Sequence, residues 1–206
     1  QLSLTRDRQG RENGAGEGAN GGSEQTSESD PLVLLAKDET GYHNLLKLVH
    51  QAYQNDAAHP QVPMAALEKY CKGLIALTGG PKGPVGRQLL DGQTEAARAI
   101  LEKLATVFSG RLYVELLRHG LKEEKETEPG FLDFAYEWAL PLVATNEAFF
   151  ADATMHEAHD ALICIAGGTY ISTAERRRLT PDHGFKSGSE MRALFADLPE
   201  AVDNTL

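Results

Sequence analysis

Gly73-Leu74-Ile75-Ala76-Leu77-Thr78-Gly79-Gly80-Pro81 reads as a short buried β-strand that stops at a glycine-rich turn. Four consecutive apolar residues between turn signals fit a strand covered on both faces. Towards the C-terminus, helical spacing near 85–90 and over 94–108 follows. A strand pattern over 112–117, a helix over 129–139 and a short strand over 142–145 come next. The stretch 155–166 is helical, with Ala158, Leu162 and Ile165 on one face. A last clear helix over 187–195 has Ser187 as N-cap and Glu190 three residues later, the capping-box spacing. Towards the N-terminus lie a short helix over 64–70 and a longer one over 41–53, where Leu45, Leu46, Leu48, Val49 and Tyr53 recur at helical spacing. The apolar run 32–36 and Leu2-Ser3-Leu4 read as strands. Short strands alternating with helices predict a mostly parallel sheet with helices outside it. Periodicity does not choose between an open doubly wound sheet and a barrel.

The chain has 206 residues, enough for one domain with a sizeable core. Residues 9–30 are rich in Gly, Ser, Glu, Asn and Gln and nearly free of apolar side chains. Such a segment buries too little surface to offset its ordering entropy, so it is expected to be a disordered loop between two strands. Residues 1–8 would then supply a strand and 31–206 the remainder of the same domain. No internal repeat is visible. The chain starts at Gln1 with no basic or apolar leader pattern, and reads as cut from a longer protein.

The formal net charge is −10, which disfavours an isolated duplex-binding role, since phosphate contacts need basic patches. The densest basic run, Arg176-Arg177-Arg178, reads as a solvated loop or a contact with a neighbouring domain or DNA. Cys71 and Cys164 are far apart and form no CxxC, which argues against a disulfide framework and for a reducing compartment. Cys71 is expected to pack as a small apolar group. No apolar run reaches the about 18 residues that a membrane span needs.

Several phrases agree on a family. Leu32-Val33-Leu34-Leu35-Ala36, Glu39-Thr40-Gly41-Tyr42, the strand at 73–79, Pro141-Leu142-Val143-Ala144-Thr145-Asn146 and Glu190-Met191-Arg192-Ala193-Leu194-Phe195-Ala196-Asp197 occur in that order. Together they resemble the PHP (polymerase and histidinol phosphatase) domain of the alpha subunit of bacterial DNA polymerase III, over roughly residues 31–206. Ala158-His159-Asp160-Ala161-Leu162 resembles the replicative branch. The resemblance implies a distorted (β/α) barrel whose earliest strand–helix units precede Gln1. It implies a place in DNA replication within a DNA-directed DNA polymerase, with Mg²⁺ held elsewhere in the parent protein. The rest of the alpha subunit and the separate proofreading exonuclease subunit are the implied partners. DNA would be met through the parent protein, no membrane is involved, and the location would be cytoplasmic.

In barrels of this class functional side chains sit at strand ends and in the following loops. Metal-binding relatives carry an acidic residue at the place of Gln1 and a His at Pro31. They carry a Cys at Gly80, an Asp at Glu147 and a His at Phe149. Of these five positions only Glu147 retains a donor. A hydrolytic metal centre needs several donors converging within about 2–2.5 Å of the ion. The implied ligand set is therefore degenerate, no catalytic residue and no cofactor are assigned to this segment, and a structural or docking role is expected. Two competing readings are a metal-dependent phosphoesterase or 3′–5′ exonuclease with its remaining ligands upstream, and a freestanding acidic binding module.

Three other motifs carry residues of candidate chemistry. Met155-His156-Glu157-Ala158-His159-Asp160 places two histidines at i, i+3, not the i, i+4 of His-Glu-x-x-His, so a packing role is expected. Glu115, in a predicted strand, must be paired if buried, and Arg118 is the nearest candidate. Gly79-Gly80-Pro81-Lys82-Gly83 lacks the phosphate-loop spacing, and Lys72 adds nothing to it.

Overall fold

A computed structural model describes residues 2–5, 29–55 and 60–206. Its framework is a five-stranded sheet in the order β1 (Leu2–Thr5), β2 (Ser29–Ala36), β3 (Leu74–Leu77), β4 (Leu112–Leu116) and β5 (Leu142–Ala144). β3, β4 and β5 run parallel, whereas β1–β2 and β2–β3 are antiparallel. The sheet is therefore mixed rather than mostly parallel. Apolar spacing reports which faces are buried and carries no strand direction. Among the described residues β1 and β5 do not pair, so the sheet is open, as the partial barrel implied by the resemblance would be.

The helices are α1 (Glu39–Asn55), α2 (Met64–Tyr70), α3 (Pro84–Leu90), α4 (Thr94–Val107), α5 (Lys122–Glu137), α6 (His156–Ala166), α7 (Gly188–Leu194) and α8 (Pro199–Asp203). Leu48, Leu67, Leu101, Leu104, Phe108, Phe131 and Phe195 meet Leu32, Leu74 and Val114 of the sheet in one core. In α1 the apolar residues divide between two faces. Leu48 is fully buried, but Leu46, Val49 and Tyr53 point outward with Tyr42.

The start of α1 is fixed by a backbone-to-backbone contact. Asp38 Oδ1 accepts from the Gly41 amide at 2.8 Å, and the Gly73 carbonyl accepts from the Lys37 amide at 2.8 Å. Asn44, buried beside them, donates to the Lys72 carbonyl at 2.9 Å. Gly73 holds φ +74°, a left-handed conformation that glycine adopts without strain.

The low-apolar loop expected over 9–30 ends earlier than its composition suggested. Ser29 and Asp30 belong to β2, opposite Thr5 and Leu4; residues 6–28 lie outside the described residues. Asp30 is buried, and its Oδ1 stands 2.6 Å from Arg87 Nε, which supplies the charge that makes burial tolerable. Pro31, expected beside the strand, lies inside it opposite Ser3.

α5 begins at Lys122 rather than near residue 129, and Pro129 sits within it. The charged run before Pro129 shows no apolar period, so its helicity was not legible. Glu124 anchors the start by accepting from the amides of His119 at 2.7 Å and Leu121 at 3.1 Å. α7 carries the expected capping box: Ser187 Oγ accepts from the Glu190 amide at 3.3 Å, and Glu190 Oε2 accepts from the Ser187 amide at 2.7 Å. Both cysteines are free; Cys164 is buried and Cys71 packs partly against the core. No helix among the described residues is long and apolar enough to cross a membrane.

Candidate functional site: the barrel mouth

Parallel strands deliver their C-terminal ends to one edge of the sheet. There β3 leads into Thr78-Gly79-Gly80, β4 into Leu117-Arg118-His119 and β5 into Thr145-Asn146-Glu147. Because β2 runs antiparallel to β3, its beginning, Asp30-Pro31, reaches the same edge. Together these ends line a cavity of about 880 Å³, closed on one side by Arg177, Arg178, Leu179 and His183.

Of the five positions where the resemblance implies ligands, four can be placed; Gln1 lies outside the described residues. Pro31 lines the cavity without a donor, and its carbonyl approaches Gly79 so closely that a Cβ there would stand 2.4 Å away. Gly80 is buried with φ +57°, and a Cβ on it would meet Leu117 Cδ1 at 2.7 Å. Glu147 faces the cavity with Lys82 Nζ 3.9 Å from its carboxylate. Phe149 is not among the residues that line the cavity; its ring lies 5.8 Å from His159 and 5.9 Å from His183, with the Arg177 guanidinium 5.5 Å from it.

The donors that remain nearby are engaged with one another. Glu115, buried on β4, accepts from Thr145 Oγ1 at 2.7 Å. Burial pushes its carboxyl above the ordinary range, against the pull of the Thr145 and Gly79 hydrogen bonds, and the Glu147 charge adds to the push. The expected pairing with Arg118 does not occur. Arg118 lies beyond the end of β4, where strand alternation no longer sets the direction of its side chain. Arg118 instead reaches Glu128 at 2.6 Å, Asp197 at 2.7 Å and the Leu194 carbonyl at 2.9 Å, with the Phe195 ring 4.5 Å from its guanidinium.

His119 is buried, and both of its ring nitrogens face acceptors. Glu124 Oε1 lies 2.7 Å from Nδ1 and Asn146 Oδ1 lies 3.0 Å from Nε2. Asn146 donates its amide to the Gly184 carbonyl at 2.9 Å, which fixes Oδ1 toward His119. Burial alone would raise the Glu124 carboxyl, but hydrogen bonds from His119 and Leu121 hold it below the ordinary range. The His183 ring stacks on His119 at 4.0 Å and accepts at Nδ1 from the Thr180 amide at 3.2 Å. Burial, and then the His119 charge, depress its imidazole below the ordinary 6.5.

A pH dependence follows from His183. A depressed folded value means that the unfolded chain binds the proton more readily. The stability from His183 is therefore complete above 6.5 and is lost as pH falls through that value towards the lower folded one. Urea unfolding at several pH values below neutrality should show wild type weakening more steeply on acidification than His183→Asn. Parallel curves would contradict this assignment.

The basic run is not a solvated loop as a whole. The Arg176 side chain is buried and grips both oxygens of Asp160 at 2.5 and 2.6 Å. Arg178 donates to the Thr173 carbonyl at 3.0 Å. The paired histidines pack as expected: His156 Nε2 lies 2.9 Å from the Leu179 carbonyl, and His159 lies against Phe149 and Phe150. His119, Glu124, Asn146 and His183 were not singled out in the sequence. Glu124 stands in the first turn of α5, whose start the sequence did not reveal, and nothing local pointed to His183.

Residues 8–119 match the model of the PHP domain family. Over 188 residues, 90% of this chain, the sequence is 47% identical to the DNA polymerase III subunit alpha of Caulobacter vibrioides. It is 38% identical to that of Vibrio cholerae and 36% identical to that of Escherichia coli, each over 85% of this chain. The matched segments span 16%, 15% and 15% of those relatives.

Proposed function

The chain belongs to the PHP domain family, and from that premise we propose that it acts in DNA replication as a supporting and docking domain of a DNA polymerase III alpha subunit. In this reading its mouth has given up metal chemistry. The observation that carries it is the donor set: Pro31, Gly80 and Phe149, none of them a metal donor, stand at three positions where the family resemblance implies ligands in metal-binding members. The donors that could substitute are committed elsewhere, His119 to Glu124 and Asn146, Glu115 to Thr145. Such residues do not fit a hydrolytic ion. What the domain retains is a continuous core and ion-paired ties between its elements, as a load-carrying part requires. The polymerase reaction, with its Mg²⁺, would reside in the remainder of the alpha subunit, which would also meet DNA. Proofreading would come from the separate exonuclease subunit docked on this polypeptide, in the cytoplasm.

One observation favours the enzyme alternative, a phosphoesterase or exonuclease completed by upstream ligands: the mouth keeps a cavity of about 880 Å³ with Glu115, Glu147 and His183 on its wall. Glu147→Ala separates the two. In a full-length alpha subunit it is expected to leave stability within about 0.5 kcal/mol, as for a surface change, with polymerisation and proofreading unchanged. Loss of a nuclease activity intrinsic to the polypeptide, with stability intact, would establish the enzyme reading instead.

A further inference from the structure

α6 was expected to turn Ala158, Leu162 and Ile165 to one face, and it does, but that face points outward. Leu162 is 61% exposed and Ile165 76% exposed, with Met155 exposed one turn before Ala158. Only Cys164 of this helix is buried. The loop that follows continues the pattern, with Tyr170 80% and Ile171 61% exposed.

That loop is fastened to α6 rather than left free. The Thr169 amide donates to the Cys164 carbonyl at 2.9 Å. Arg176, whose side chain is only 4% exposed, grips Asp160 of α6 and reaches the Ile171 carbonyl at 3.4 Å. A buried guanidinium with a bidentate partner is a costly feature to build. Here it holds two large apolar side chains in solvent beside an apolar helix face. Ordering such a surface in advance lowers the entropy cost of docking onto it.

We propose that the outer face of α6, with Tyr170 and Ile171, is the seam along which this domain packs against the polymerase part of its own polypeptide. The inference rests on the reading above that the chain is a domain of a polymerase III alpha subunit. Two observations select this occupant. The matched segment spans only 16% of the Caulobacter relative, so in such a protein most of the polypeptide is tethered beside this domain. A tether supplies an effective concentration in the millimolar range, so no separate partner competes on equal terms. The face is also built as permanent interfaces are. Leu162, Ile165, Ala166, Tyr170 and Ile171 are exposed without a charge among them, whereas interfaces that open and close are more polar.

The test places the photo-crosslinking residue p-benzoylphenylalanine at position 170 of a full-length alpha subunit, with the exonuclease subunit present. The expected product is an intramolecular cross-link to a peptide outside residues 1–206, reduced at least tenfold by Ile165→Glu. Both sites are exposed, so neither change should prevent folding. A cross-link to a second copy, to the exonuclease subunit or within residues 1–206, or none at all, would overturn the proposal. Templated nucleotide incorporation and metal-dependent nuclease activity, measured on the same preparation, report separately on the underlying reading. If templated incorporation is absent, or a metal-dependent nuclease intrinsic to the alpha polypeptide is present, the functional assignment fails; if only the cross-link fails, only this face is wrong.

Discussion

Changing Gly41 to Ala should destabilise the protein by about 4 kcal/mol or more, in the far tail of single substitutions. A Cβ at Gly41 would stand 1.8 Å from the Gly73 carbonyl oxygen and 2.5 Å from its carbon, both backbone atoms. Gly73 cannot move aside cheaply. Its carbonyl accepts from the Lys37 amide at 2.8 Å, and its own left-handed backbone packs on the Gly41 amide. Relief would require lifting the first turn of α1 from the turn before β3, which would also strip Asn44 of its bond to Lys72. The check is the urea midpoint of the variant at fixed pH. A loss below about 1 kcal/mol, the middle of the ordinary range, would mean that the two backbones do not meet as described.

The second large effect is expected at Leu142, where truncation to Ala should cost about 2–5 kcal/mol, as for other buried leucines. Leu142 is 2% exposed in β5 and pairs with Val114 of β4. Its carbonyl also accepts from Asn204 Nδ2 at 2.8 Å, tying the end of α8 to the sheet. In a full-length subunit the same change should lower templated polymerisation in step with the folded fraction, whereas Glu147→Ala should leave both near wild type. Polymerisation unaffected by an unfolded Leu142→Ala domain would remove the supporting role.

Where apolar spacing is local, the sequence could be read directly. α2 and β3 occupy the residues their patterns indicated, and Ser187 caps α7 with Glu190 as expected. Where burial depends on a distant partner, it could not. Asp30 looks like loop composition until Arg87 is placed beside it, and Arg176 looks solvated until Asp160 closes on it. The direction of β2 was hidden for the same reason, because alternation is unchanged when a strand is reversed. The mouth was half legible. Pro31, Gly80 and Phe149 stood out against the family pattern, but the His119–His183 stack joins residues that only the fold brings together. The outward face of α6 shows the limit most clearly. Helical spacing identified the stripe through Leu162 and Ile165 but could not say whether this domain or another covers it.

The central claim is that this domain supports a polymerase without a metal centre of its own at the barrel mouth. Elemental analysis of a purified full-length alpha subunit, after incubation with zinc or manganese and desalting, tests it most directly. Less than stoichiometric metal attributable to this domain is expected, with the same content in Glu147→Ala. Stoichiometric zinc or manganese that disappears in Glu147→Ala, with the fold intact, would contradict it.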